Sequence, residues 1–211
     1  MIVKVCGLRQ ADNIREVAAL GVDYIGLIFW DKSPRYVGMT PSGVIPDACG
    51  PTPGFLPRKV GVFVNPTAQE VIARVASFGL DVVQLHGHET TAFIRELRHA
   101  LPDVQIWKAV SVESRESVAA FRAYADSVDA FVFDTRCKTV GGSGEQFDWR
   151  VLEAYDGDVP FLLSGGIGPD DAERIRAFHH PKCLGIDLNS RFEKSPGIKD
   201  IVVLSQFLHN L

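Results

Sequence analysis

Two residues of this sequence have side chains suited to moving protons, and each ends a short run of apolar residues. Cys6 ends the run IVKVC, and Asp134 ends the run DAFVFD. A thiolate is a competent base, but the ordinary thiol pKa of about 8.5 leaves it mostly protonated at neutral pH unless a cation or helix dipole lies nearby. A carboxyl group among aromatic rings resists ionisation, which suits a general acid. Together they could support proton transfer such as an isomerisation, although a buried cysteine and a capping carboxylate are the ordinary structural interpretations.

Two other segments have the features of an anion-binding site. Gly165 and Gly166 follow an apolar run and precede Pro169, while Asn189 and Ser190 follow the last apolar run. Glycines let a backbone approach a ligand closely, and free N–H groups at the start of a helix attract anions. The glycine pair could equally make only a tight turn, so the fold must decide between the two interpretations.

Three further polar residues lie at or after the ends of apolar runs. Arg35 has a planar guanidinium that could pair with a carboxylate through two hydrogen bonds. His86 and Asp187 belong to two other runs and are candidates for contact with a substrate. Each of the three could instead be a solvated residue, or one satisfied within the protein at the rim of the fold.

Eight short apolar runs carry these candidates, and the segments between them have helical periodicity. The runs are rich in Val, Ile and Phe and are nearly continuous, which is typical of parallel strands covered on both faces by helices. They occupy residues 2–6, 24–29, 59–64, 81–86, 104–110, 129–134, 159–164 and 183–188. Amphipathic helices are predicted over residues 11–20, 67–78, 89–101, 114–125, 148–155, 169–178 and 199–210. Thr67 and Asp148 are predicted N-caps.

Two segments are less regular than the rest. Prolines and glycines recur between residues 38 and 58, so we expect a short turn of helix and a long loop there instead of a full second helix. The glycine-rich segment 135–147 is either a lid that closes over a substrate or a flexible connection.

Repeated strand–helix units predict an α/β fold with a parallel sheet. Eight units in 211 residues favour a compact (β/α)8 TIM barrel that forms one domain over residues 1–211. The alternative is an open doubly wound sheet, which would more naturally have a GxGxxG motif after its first strand. In a barrel, active residues lie at the carboxyl ends of the strands, and phosphate sites commonly follow strands seven and eight.

The barrel also predicts where the candidates lie relative to one another. Cys6 and Asp134 belong to strands one and six, so they would face a substrate from opposite sides. Lys4 shares the strand parity of Cys6 and should point into the barrel at a lower level. We assign Lys4 no catalytic role.

Composition excludes several other classes of protein. Apolar residues make up 46% of the chain, charged residues 23%, and the formal net charge is -4, which gives no basic surface for nucleic acid or an anionic membrane. No apolar run is long enough to cross a bilayer, and no secretory signal is visible. The four cysteines are far apart and lack metal-ligand spacing, which predicts reduced thiols in a cytoplasmic protein without a metal site. They are Cys6, Cys49, Cys137 and Cys183.

Nine short motifs follow one another along the whole chain. They are KVCGL (4–8), SPRYV (33–37), KVGVFVN (59–65), QLHG (84–87), GGSG (141–144), FDW (147–149), LSGGI (163–167), GIDLNS (185–190) and PGIKD (196–200). In that order they resemble the phosphoribosylanthranilate isomerase family of tryptophan biosynthesis. Each motif is modest by itself, but the ordered set is highly specific.

The resemblance implies an Amadori rearrangement of N-(5-phospho-β-D-ribosyl)anthranilate to 1-(2-carboxyphenylamino)-1-deoxy-D-ribulose 5-phosphate, without cofactor or metal. Asp134 would be the general acid that protonates the ribose ring oxygen, and Cys6 the general base that removes the C2′ proton. Arg35 would hold the anthranilate carboxylate. The phosphate cradle would consist of Gly165, Gly166, Asn189 and Ser190. The implied partner is a small phosphorylated, carboxylated substrate, and the chain is expected to be a monomer or a homodimer.

Two departures from the family pattern lie near this site. Ser143 stands where threonine is more usual, and the exchange keeps the hydroxyl group. Arg191 follows Ser190 where a small residue is expected, and it could add charge near the phosphate or point outward.

Two other functions remain as alternatives. A histidine-pathway isomerase performs the same rearrangement on a different aminoribosyl phosphate, but it resembles a scheme with an aspartate as the first-strand base, and Cys6 argues against it. An enzyme that accepts both substrates is a variant of this alternative. A barrel that binds a sugar phosphate without converting it would not need both Cys6 and Asp134.

Overall fold

Eight parallel strands close into a barrel in this protein, whose computed structural model describes residues 1–39, 57–135 and 148–211. The strands are β1 (Ile2–Cys6), β2 (Tyr24–Ile28), β3 (Arg58–Phe63), β4 (Val82–Leu85), β5 (Gln105–Val112), β6 (Ala130–Thr135), β7 (Phe161–Ser164) and β8 (Cys183–Leu188). They pair in chain order, and β8 pairs in parallel with β1. The predicted TIM-barrel architecture is therefore confirmed. The irregular second unit and the glycine-rich segment 135–147 lie almost entirely outside the described residues.

Helices cover the outside of this barrel. The α-helices are α1 (Ala11–Ala19), α2 (Ala68–Phe78), α3 (Thr91–Ala100), α4 (Arg115–Val118), α5 (Ala172–Ala177) and α6 (Ile201–His209). Short 3-10 helices occupy Ala119–Ala123, Trp149–Ala154, Pro169–Asp171 and Ser190–Phe192. The predicted caps are confirmed, since Thr67 accepts a hydrogen bond from the Glu70 amide and Asp148 accepts one from the Arg150 amide.

The structure differs from the predicted helices in the second half of the chain. The segments predicted as helices over 114–125 and 169–178 each combine a short α-helix with a 3-10 turn, and the one over 148–155 is entirely 3-10. Short segments gain little from helix propagation, so the tighter 3-10 geometry competes well there. A small antiparallel hairpin, β9 (Glu193–Ser195) and β10 (Ile198–Lys199), precedes α6 and was not predicted.

Alternation along the strands divides the apolar residues into two layers. One set fills the inside of the barrel, and the other packs between the strands and the helices. The inner set includes Tyr24, Val60, Val62, Val82, Trp107, Ala109, Ala130, Val132 and Leu162. Lys4 is fully buried on the strand that carries Cys6, which agrees with its predicted inward direction. Among the described residues, no helix is long and apolar enough to cross a membrane.

An aromatic cluster packs in the outer layer beside β6 and β7. The ring of Tyr155, which precedes β7, lies 4.5 Å from Phe121, 5.1 Å from Phe133 and 5.4 Å from Phe161, centroid to centroid and in edge-to-face geometry. Its hydroxyl donates a hydrogen bond of 2.6 Å to the Val159 carbonyl. Burial, followed by the neighbouring carboxylates of Asp158 and Asp156, raises the pKa of Tyr155 to about 12.

We predict that Tyr155→Phe lowers the free energy of unfolding by about 1 kcal/mol, because it keeps the ring contacts but removes one hydrogen bond. The difference between the two proteins should hold below about pH 10 and decline from there towards pH 12. The unaltered protein loses stability over this range because the unfolded tyrosine ionises near its ordinary pKa while the folded one stays neutral. Urea unfolding at several pH values measures both effects. Tyr124→Phe, which removes a hydroxyl with no hydrogen bond to a described residue, is the matched control.

Candidate active site

One cavity lies at the carboxyl ends of the barrel strands and collects most of the predicted site residues. Its lining includes Cys6, His86, Asp134, Gly165, Gly166, Asp187, Asn189 and Ser190. Residues on five of the eight strands, or directly after them, therefore meet in one place. Arg35 is the predicted site residue that does not line this cavity.

Cys6 reaches the cavity from the last position of β1. Its partner in the neighbouring strand is Gly26, and a methyl group built on Gly26 would lie 2.7 Å from the Cys6 sulfur. A contact that short is not tolerated, so the missing side chain of Gly26 provides the space in which the thiol sits. Burial leaves Cys6 only 4% exposed.

A buried ion pair lies beside Cys6. Lys4 Nζ is 2.9 Å from Asp187 Oδ1, and the two side chains are 0% and 7% exposed. Burial alone would lower the pKa of Lys4, but the charge of Asp187 and, to a smaller extent, that of Cys6 outweigh it, so the pKa of Lys4 is raised. Burial raises the pKa of the Cys6 thiol, while the charge of Lys4 opposes that rise. The ammonium group of the Lys4–Asp187 ion pair therefore lies next to the thiol.

Asp134 faces the same cavity from β6, and His86 lies beside it. His86 Nε2 is 3.4 Å from Asp134 Oδ2, with exposed fractions of 29% and 17% for the two side chains. The geometry of that contact is not one of a hydrogen bond, and His86 Nε2 is buried without a partner among the described residues. The side-chain oxygen of Gln84, on the preceding strand position that faces the cavity, is likewise buried and unpaired there. A ligand with hydroxyl or amine groups could satisfy both atoms.

Arg35 lies beside the cavity, in contact with the β9–β10 hairpin. Its Nε donates to Glu193 Oε1 at 2.9 Å and its Nη2 donates to Oε2 at 2.6 Å. Lys199 Nζ contacts the same carboxylate at 2.7 Å. Burial would raise the pKa of Glu193, but the hydrogen bonds from Arg35 and Lys199 lower it overall. Nη1 of Arg35 remains without a hydrogen bond to a described residue.

Gly7, which directly follows β1, leaves space for the side chains of Arg35 and Asn189. It has φ +80°, and a methyl group built on it would lie 2.7 Å from both Arg35 Cδ and Asn189 Oδ1. Asn189 Oδ1 also accepts a hydrogen bond of 2.9 Å from Lys199 Nζ. The Asn189 side chain is therefore tied to the protein and helps to shape the loop that follows β8.

The loops after β7 and β8 form the part of the cavity where an anion site was predicted. Gly165 and Gly166 have φ of 92° and 68°, which favour glycine, and the space above Gly166 is open. Ser190 and Arg191, which follow β8, line the same cavity. Arg191 is exposed, lines the cavity, and forms no ion pair with a described residue.

Sequence reasoning missed four residues that shape this site. Strand alternation could have identified two of them, since Lys4 faces the same side of its strand as Cys6 and Gln84 the same side as His86. No sequence pattern points to Glu193 and Lys199, because Glu193 is separated from Arg35 by 158 positions. No cluster of three His, Cys, Asp or Glu side chains suited to a metal ion occurs in the described parts of the chain.

Comparison with known proteins places this geometry in a family. The profile of N-(5'phosphoribosyl)anthranilate (PRA) isomerase matches residues 3–210. The chain belongs to this family. It is accordingly an isomerase of tryptophan biosynthesis, as the resemblance of its motifs implied.

Individual relatives align with this chain over nearly their whole lengths. The chain is 44% identical to N-(5'-phosphoribosyl)anthranilate isomerase of Parabacteroides distasonis, over 100% of this chain and 93% of that protein. Among solved structures, the phosphoribosyl anthranilate isomerase of Thermus thermophilus superposes with a TM-score of 0.81 at 25% identity, covering 100% of this chain and 98% of that one. Monomers of the dimeric enzyme of Thermotoga maritima give 0.78 at 26% identity, with the same coverage.

We predict that Gly26→Ala lowers kcat about 10-fold or more, because the new methyl group pushes the Cys6 thiol out of its position in the cavity wall. Isomerase assays on folded protein measure the effect. Gly61→Ala on β3 is the matched control, since its methyl group would press on Leu80 and Phe63 in the outer layer. Equal losses of kcat in the two variants would show that general overpacking, and not the thiol position, is responsible.

Proposed function

We propose that Cys6 and Asp134 are the base and the acid of the rearrangement of N-(5-phospho-β-D-ribosyl)anthranilate. The observation that carries this proposal is that both side chains line one cavity, from strands on opposite sides of the barrel. General acid and base residues need to reach the same substrate from different directions.

The steps follow from the positions of the two groups. The Asp134 carboxyl gives its proton to the ribose ring oxygen, so the ring opens to a Schiff base between C1′ and the anthranilate nitrogen. The Cys6 thiolate then takes the C2′ proton, and the resulting enolamine tautomerises to the ketone. Asp134 loses one proton and Cys6 gains one, so both must return to their starting states by proton exchange before the next turnover.

Recognition of the two anionic ends of the substrate uses separate parts of the cavity rim. Gly165, Gly166 and Ser190 hold the phosphate through backbone N–H groups and a hydroxyl, and Asn189 positions that loop. Arg191 adds the positive charge that the net charge of -4 does not provide. Arg35 receives the anthranilate carboxylate on Nη1, while Glu193 holds the opposite edge of its guanidinium.

Two further residues contact the ribose portion. His86 Nε2, which is buried and has no hydrogen-bond partner among the described residues, hydrogen-bonds a substrate oxygen next to Asp134. Asp187 presents to the sugar hydroxyls the carboxylate that Lys4 holds in place. No cofactor or metal enters this scheme, and segment 135–147 remains either a lid or a connection.

The histidine-pathway substrate remains an alternative for the same fold. An aspartate base on the first strand would favour it, and this chain has Cys6 there. Turnover of each substrate by the purified protein separates the single-substrate, dual-substrate and binding-only functions. A cytoplasmic location, the absence of nucleic-acid and membrane partners, and a monomeric or homodimeric state remain expectations.

We predict that Cys6→Ala and Asp134→Asn each lower kcat by about 10²–10⁴-fold while the protein stays folded, because each removes one proton-transfer group. The loss of anthranilate-substrate fluorescence measures turnover, and circular dichroism measures folding. Cys183→Ala, which removes the other described free thiol from the amino end of β8, is the control. Near-complete activity in Cys6→Ala or in Asp134→Asn would refute the role of that residue.

We predict that Arg191→Ala raises KM about 10-fold or more with little change in kcat, because a charge-assisted contact to the phosphate is lost. The effect should shrink as salt is added. Steady-state kinetics at two ionic strengths measure it. Lys194→Ala removes an exposed positive charge three positions further along and outside the cavity lining. An equal rise of KM in both variants would indicate general electrostatic attraction instead of contact.

A further inference from the structure

We propose that Lys4 is a positioning residue that stabilises the thiolate of Cys6, and that Asp187 holds Lys4 in place for this task. The inference deepens the proposed function and rests on the role given there to Cys6. It also gives a function to the buried charge of Lys4.

The geometry of the closed barrel puts the three groups together. Lys4 and Cys6 are two positions apart on β1, so their side chains leave the strand on the same face. In the register of β8 with β1, Lys4 is the direct partner of Asp187. The ammonium and carboxylate groups are 2.9 Å apart inside the barrel, directly below the level at which Cys6 enters the cavity.

Stability alone does not account for an ion pair at this depth. Removing two charges from water is costly, and well-packed apolar residues of similar volume often replace buried ion pairs at no cost in stability. The inward-facing side chains around this pair are mostly apolar, with Tyr24 and Trp107 among them, and Gln84 is a polar exception. A charge kept there therefore points to a task that an apolar residue could not perform.

That task follows from the needs of a buried base. Burial makes the Cys6 thiol harder to ionise, and Lys4 and Lys199 are the positive groups that counter this effect, while Asp187 adds to it. Lys199 shares its charge with Glu193, which also binds Arg35. Across the cavity the titratable neighbours are His86 and Asp134. Lys4 is thus the cation on the strand of Cys6 itself, and its single acidic partner in the ion pairs above is Asp187.

The proton inventory of the cycle is consistent with this role. While Cys6 is protonated, the Lys4–Asp187 pair beside it carries no net charge. When the thiol loses its proton, Lys4 is shared between two anions, the thiolate and the Asp187 carboxylate. Transfer of the substrate C2′ proton to sulfur restores the neutral arrangement without moving any heavy atom of the pair.

The test uses two variants that remove the charge in different ways. Lys4→Gln keeps a hydrogen-bond donor for Asp187, and Lys4→Met keeps the volume. The rate at which iodoacetamide alkylates Cys6 is measured against pH, with the modified peptide identified by mass spectrometry. We expect the pH midpoint of alkylation to rise by about one unit or more in both variants, with kcat falling about 10-fold or more at pH 7.5 and KM little changed.

Lys108→Met is the matched control. Lys108 is another buried lysine with a single acidic partner, since its Nζ is 3.2 Å from Glu89 and the two side chains are 3% and 1% exposed. Its loss should leave the pH midpoint of Cys6 where it is in the unaltered protein. Lys4→Arg, which restores the charge, should lie closer to the unaltered protein than Lys4→Gln does.

An unchanged pH midpoint in folded Lys4→Gln would overturn the proposal, and so would an equal shift in Lys108→Met. Failure of the proposed function would look different. A protein whose Cys6 midpoint shifts as expected, but which does not turn over the anthranilate substrate even when unaltered, would retain the Lys4 effect and lose the isomerase mechanism.

Discussion

Closure of the barrel between β8 and β1 is the constraint on which the site depends. The chain brings its first and last strands side by side, and in their register Lys4 pairs with Asp187, 183 positions later in the sequence. Because side chains alternate along a strand, that register also decides that Cys6 enters the cavity one layer above the ion pair. A shift of β1 by one residue would turn Lys4 and Cys6 to the outer layer, where the helices pack, and would separate them from Asp187.

The positive charges around the cavity are arranged so that most of them are already neutralised. Asp187 accompanies Lys4, and Glu193 accompanies both Lys199 and Arg35. This arrangement lets an acidic chain hold cations at depth without an uncompensated buried charge. Arg191 differs from them, since it is exposed and forms no ion pair with a described residue. Among the described residues that line the cavity, Arg191 is therefore the cation available to an incoming anion, while the buried cations organise other side chains.

The outer layer and the cavity divide stability from chemistry. The aromatic cluster around Tyr155 packs in the outer layer beside β6 and β7, and the Tyr155 hydroxyl donates a hydrogen bond to the Val159 carbonyl. Two buried side-chain atoms that form no hydrogen bond to a described residue, Gln84 Oε1 and His86 Nε2, belong to residues that line the cavity. Unsatisfied buried atoms cost stability, so their concentration at the cavity is consistent with a site completed by its substrate.

The sequence by itself determined the class of fold and the principal chemical groups. Buried parallel strands can be recognised from nearly continuous apolar runs, because strands covered on both faces exclude polar residues. The rule that barrel sites follow strand ends then selected Cys6, Asp134 and the glycine pair. Only the tertiary structure decided that Arg35 is held by Glu193, that Gly26 makes room for a thiol, and that Lys4 is charged beside Cys6. These contacts cannot be predicted from the local periodicity of the sequence. They depend on strand register and on a hairpin far along the chain, and both are set by how the barrel closes.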